Sequence, residues 1–167
     1  MKIFLALIIL CSQRLFAHEH GLGAHEHGAI KLEMGIEKST VELDLDGPAE
    51  AFIGFEYLPH SVKEKAIMNN AKNLWEKNLF TLINFDQSLK CQIIQASFTQ
   101  VIDQKEHGNH SDIEAKAKVS CNGDLAGSNV QVSLKKYFKN IKKLKVDVVG
   151  KKMLSIDISS EVQSFKI

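Results

Sequence analysis

The stretch AIKLEMGIEKSTVELDLD, residues 29–46, sets the architecture. In Ala29–Glu37 the apolar Ile30, Leu32, Met34 and Ile36 alternate with Lys31, Glu33 and Glu37, and in Thr40–Asp46 Val41, Leu43 and Leu45 keep the same period. Successive side chains of a strand point to opposite faces, so a period of two marks a strand with one buried side. The two segments read as a hairpin turning at Lys38-Ser39, with one apolar face. Asp46-Gly47-Pro48 ends the second strand.

The same alternation recurs downstream. Leu89–Ile102 and Asp112–Cys121 read as a second strand pair; Ile113, Ala115, Ala117, Val119 and Cys121 alternate with Asp112, Glu114, Lys116 and Lys118. The connection DQKEHGNHS is a polar hairpin tip. Val130–Leu134 reads as a short strand or a turn of helix. Leu144–Val149 and Met153–Ser159 form a last hairpin around Gly150-Lys151-Lys152, and Glu161–Ile167 closes the chain.

Only one segment carries a strong helical period. Ser61-Val62-Lys63-Glu64 fits a capping box, and Pro59 bars helix before it. Val62, Ala66, Ile67, Ala71, Leu74, Trp75 and Leu79 make an apolar stripe, with Trp75 as a core anchor. Between hairpin and helix, AEAFIGFEYLPH (residues 49–60) is apolar and aromatic without a clear period. The expectation is a single α+β domain over residues 29–167, its sheet largely antiparallel, with one main amphipathic helix. Strand order does not follow from these patterns.

The chain opens MKIFLALIILCSQRLFA. Lys2 supplies a positive start, Ile3–Cys11 an apolar run, and Ser12–Ala17 a more polar segment ending in a small residue. This is the build of a secretory signal, too short to span a bilayer, with cleavage expected after Ala17. Without Lys2 and Arg14 the chain holds 19 basic and 20 acidic residues, a balance that argues against a nucleic-acid partner. No other segment reads as a membrane span. Two cysteines remain, Cys91 and Cys121. In an exported chain an even count reads as one disulfide, and the expected product is soluble after export.

Six of the seven histidines fall in two short clusters. His18-Glu19-His20-Gly21 and His25-Glu26-His27-Gly28 repeat with an offset of seven residues, forming a His-rich arm over residues 18–28. In extended backbone His18 and His20 share one side, as do His25 and His27. Four imidazoles satisfy a tetrahedral zinc site, and copper and nickel accept the same donor. His107 and His110 form the second cluster, flanked by Glu106 and Asp112, although hairpin-tip polarity accounts for those two acids equally well. His60, between Pro59 and a helix start, reads as a capping or packing residue. The pattern is unlike closed structural zinc sites, which recruit cysteines at fixed spacing.

Together, AHEHGLGAHEHG leading into a hairpin, DGPAEAFIGFEYLPHSVKEKA, the loop histidines, a strand ending VSC and the closing KKYFKNIKKLKVDVV resemble the ZrgA-like family of exported, zinc-regulated proteins. The likeness covers nearly the whole mature chain, and GPAEAFIGFEYLP is its most specific part. It implies periplasmic zinc binding in support of zinc uptake rather than catalysis, carried by the HEHG histidines and, less directly, by the loop. Many members have a long loop packed with histidines and acids; EHGNHSD is short.

The expected function is therefore a periplasmic zinc-binding protein, not an enzyme. Its metal ligands are His18, His20, His25 and His27, joined by Glu106, His107, His110 and Asp112, and its expected partner is the receptor of a zinc ABC importer. Two other readings use the same residues. A free amino terminus at His18 suits a copper or nickel chelate, or a copper-based redox enzyme in which His60 supplies a further imidazole. Alternatively, the histidines of an interaction module sense acidity without metal.

Overall fold

The computed structural model describes residues 27–102 and 110–167. The predicted first hairpin forms as β1 (Ala29–Glu37) and β2 (Thr40–Pro48), followed by a five-residue helix α1 (Ala49–Ile53) and the main helix α2 (Val62–Lys77). After α3 (Leu79–Leu82) come β3 (Ile83–Phe85), β4 (Gln92–Ile102), β5 (Ser111–Ser120) and β6 (Asn129–Val132). The chain ends with α4 (Leu134–Tyr137), β7 (Lys143–Val149), β8 (Met153–Asp157) and β9 (Gln163–Lys166).

The strands build two sheets: six strands in the order β4-β5-β2-β1-β7-β8, and three in the order β3-β6-β9. The expected α+β class and largely antiparallel pairing hold, with one exception. β1 pairs antiparallel with β2 on one side and parallel with β7 on the other. A parallel partner over a hundred residues away leaves no local mark in sequence.

The alternation sorts the residues as expected. Ile30, Leu32 and Met34 of β1, Val41, Leu43 and Leu45 of β2, and Ile113, Ala115, Ala117 and Val119 of β5 are buried. Leu144, Val146 and Val148 of β7 join them, and the second sheet adds Ile83, Phe85, Val130 and Val132 to the same core. On the solvent face charges pair across strands, as in Lys118–Glu42 at 2.9 Å and Lys116–Asp44 at 3.3 Å. Gly47 is required by packing: a Cβ there would stand 2.5 Å from Ile30 Cγ2.

The capping box forms as predicted, with Glu64 N–H donating to Ser61 Oγ and the Glu64 carboxylate accepting from Ser61 N–H. Trp75 is fully buried and its Nε1 donates to the Lys116 carbonyl at 3.0 Å, which pins α2 to β5. The predicted stripe begins later than expected. Val62 is 87% exposed and Ala66 is also exposed, whereas Ile67, Leu74 and Leu79 pack on the core. The first turn of α2 is held by the preceding segment through Glu64, and the helix meets the sheet only from Ile67 onward.

Cys91, just before β4, is bonded to Cys121, just after β5. The bridge locks the end of the β4–β5 pair opposite its connecting loop. Closing a loop of this length restricts the unfolded chain by roughly 3–4 kcal/mol. Cys91→Ser should therefore lower the melting temperature by about 10 °C in thermal denaturation without reductant. Protein with both thiols free to alkylation and an unchanged melting point would contradict the role assigned to this bond.

Candidate metal centre

Strand register brings His27 and His110, one residue of each histidine cluster, to one end of the six-stranded sheet. Lys31 pairs with Asp46, so β1 begins where β2 ends. Pro48 pairs with Asp112, which sets the start of β5 beside the end of β2, and Ile102 pairs with Ser111, which brings the end of β4 there too. Ala29 pairs with Lys143, adding the start of β7. His27, two residues before β1, and His110, one before β5, therefore emerge at the same edge.

The segment between β2 and α2 crosses this edge. In α1, Ala49, Ala51, Phe52 and Ile53 are buried, and the Phe52 ring meets Phe98 and Phe138 edge-on at 6.1 and 5.4 Å. Glu50 is the one residue of α1 that remains half-buried. Gly54 then takes φ +85°, a left-handed conformation that glycine adopts without strain. Its N–H and Asn140 Nδ2 both donate to the Glu50 carbonyl, at 2.9 and 3.0 Å. The reversal carries Glu56 back toward the strand ends. There the Glu56 carbonyl accepts a hydrogen bond from Ser111 Oγ, which itself accepts from Gln100 Nε2 at 2.7 Å.

Two carboxylates and two imidazoles meet as a result. His27 Nδ1 lies 2.8 Å from Glu50 Oε1 and 3.2 Å from Glu56 Oε1. One ligand atom from each of these three residues lies within 4.8 Å of the others. His110 Nδ1 bonds the other oxygen of the same carboxylate, Glu56 Oε2. The histidine side chains are about half exposed, at 58% and 48%, while Glu50 and Glu56 are 31% and 19% exposed. Zinc takes imidazole and carboxylate donors at about 2.0–2.2 Å, which sets tetrahedral donors about 3.3 Å apart. The His27–Glu contacts are already near that separation.

Of the expected ligands, His27 and His110 are thus brought together through Glu56. Asp112 lies one residue inside β5 and is not part of the group. His18, His20, His25, Glu106 and His107 lie outside the described residues, as do the signal segment and its cleavage point. Glu50 and Glu56 were not expected as ligands. The available signal was two acids within an apolar, aromatic stretch, AEAFIGFEYLP, with no period to place them on a solvent face.

His60 is stacked on Tyr57, with ring centroids 6.0 Å apart and planes 9° from parallel, and Tyr57 stacks in turn on Phe55. Its place is in packing rather than in the cluster. Glu64 fastens this stack to α2: its carboxylate accepts from the Ser61 and His60 N–H groups and from Tyr57 O–H. These donors, the backbone N–H groups first, lower its pKa from 4.5 to about 2, and the bond to Glu64 raises that of the Tyr57 phenol. A depressed folded-state pKa contributes stability above pH 4.5 that is lost as pH falls toward 2. Glu64→Gln should weaken the decline of the urea midpoint across that window, and an unchanged profile would show that Glu64 does not anchor the segment.

A sequence model described as ZrgA family zinc uptake protein matches residues 24–165. No curated protein matches the chain.

Proposed function

The chain belongs to the ZrgA family of zinc uptake proteins, and on that premise we propose that it binds zinc in the periplasm and passes it to an uptake system. In this reading export removes residues 1–17, and the arm 18–28 precedes a single domain over 29–167. His18, His20, His25 and His27 capture the ion. Glu106, His107 and His110 of the β4–β5 connection, with Asp112 at the start of β5, form a second, smaller donor set. The disulfide supports the compartment, since such bonds persist where the surroundings are oxidising. Among the described residues no helix is long and apolar enough to cross a membrane.

The observation that carries the proposal is the pairing of His27 and His110, one from each sequence cluster, with the same carboxylate. Two clusters 83 positions apart in sequence would not share a partner if each were only solvated polarity. Imidazole at a strand end and in a loop suits capture and release, because such ligands exchange without unfolding the core. The recipient is then the receptor component of a zinc ABC importer, beside which this domain acts as a donor. The family's zinc uptake role favours binding over catalysis.

The test is zinc titration of the mature chain by equilibrium dialysis with mass spectrometry. Replacing His18, His20 and His25 together by Ala should remove more than half of the bound zinc. The melting temperature of the metal-free chain should stay unchanged, because the buried core of the described residues begins at Ile30. Undiminished zinc binding in that variant would overturn the role of the HEHG repeats. The substitutions stop before His27 and Gly28 because the Gly28 carbonyl accepts from Lys142 and Lys143 N–H, at 2.8 and 3.1 Å.

A further inference from the structure

We propose, building on that zinc-binding reading, that Glu50 and Glu56 are themselves metal ligands. With His27 and His110 they make a discrete site of two imidazoles and two carboxylates for a divalent cation of the zinc class. Glu56 is its centre. Oε1 faces His27 and Oε2 faces His110, so one carboxylate joins the last histidine of the HEHG segment to the last histidine of the loop.

The donor chemistry selects the ion. Two neutral imidazoles and two carboxylates balance a dication, and the set contains no thiolate or thioether that would favour monovalent copper. His27–Glu50 and His110–Glu56 are hydrogen bonds in which a proton lies between two potential ligands, and Glu56 Oε1 stands 3.2 Å from the same His27 nitrogen. A dication replaces that proton and holds the same atoms around one centre, about 3.3 Å apart, close to the 2.8 and 3.2 Å at which His27 already meets Glu50 and Glu56. His110 Nδ1 sits on the far oxygen of Glu56 and becomes the fourth donor by turning its half-exposed side chain toward the same ion.

The backbone around both carboxylates is already fixed. Glu50 stands on a helix whose other residues are buried, and its carbonyl is held by Gly54 and Asn140. The Glu56 carbonyl is held by Ser111. Binding therefore asks for side-chain adjustment and not for folding of a loop, which is what separates a preorganised site from a chance cluster of surface charge. In this scheme the repeats upstream of His27 collect the ion and the carboxylate pair retains it on the domain.

The experiment titrates zinc alone into the full mature chain carrying His18→Ala, His20→Ala and His25→Ala, then adds Glu50→Gln or Glu56→Gln. The parent should retain one zinc equivalent, and either added substitution should weaken it by at least about tenfold. Glu50→Gln lies on the outward side of α1 and serves as the second variant should Glu56→Gln lower the melting temperature. Zinc should also slow amide exchange across Phe55–Leu58 in the parent and fail to do so in Glu50→Gln. If both variants keep the parent's affinity and stoichiometry, or the parent binds nothing while the unsubstituted chain binds zinc, the carboxylate site is overturned and capture by the repeats stands. If the unsubstituted chain binds no zinc, the functional reading fails with it.

Discussion

β1 is bonded along both edges, antiparallel to β2 and parallel to β7, and this double pairing is the constraint from which the rest of the molecule follows. It buries the strand in the middle of the sheet and fixes its register twice. A slip of one residue would turn Ile30, Leu32 and Met34 out to solvent. It also fixes where the chain enters the domain. Gly28, at φ +79°, presents its carbonyl to Lys142 and Lys143, so His27 is delivered to one defined place at the sheet edge.

The two ends of the β4–β5 pair are held by bonds of different kinds. At one end the Cys91–Cys121 bond makes the pairing covalent. At the other, the pair opens into the loop that returns at His110, and the contacts there are hydrogen bonds between half-exposed imidazoles and carboxylates. Covalent closure at one end holds the strands in register independently of the hydrogen bonds at the other. Under the proposed zinc-binding role that division matters, because ligands carried by the core could not be exchanged without unfolding it.

Much of this was legible in the residues. The hairpins of β1–β2, β4–β5 and β7–β8 follow from alternation, since one face of each turns to the core, buried in β1, β2, β5 and β7 and only in part in β4 and β8. The start of α2 follows from a capping box whose partners lie three residues apart. The disulfide was legible from the two cysteines left beyond the expected signal segment. The start of the helix stripe was misjudged because periodicity reports which residues share a face, not where along the helix that face meets its neighbour. Helix α1 was not legible at all. Its five residues are almost all buried, so no amphipathic contrast exists to reveal it.

By itself the sequence determined the class of the fold, the helix, the disulfide and the enrichment in imidazole, because each is written in local spacing or in counts. The family resemblance was likewise carried by contiguous stretches such as GPAEAFIGFEYLP. Only the tertiary structure decided which of these features meet. The parallel β1–β7 pair and the β2–β5 neighbours join segments separated by dozens of residues, and no local period encodes such a choice. That choice gathers the starts of β1, β5 and β7 and the ends of β2 and β4 at one edge. Glu50 and Glu56 thereby become partners of His27 and His110, because a ligand set is a property of positions in space and not of spacing along the chain.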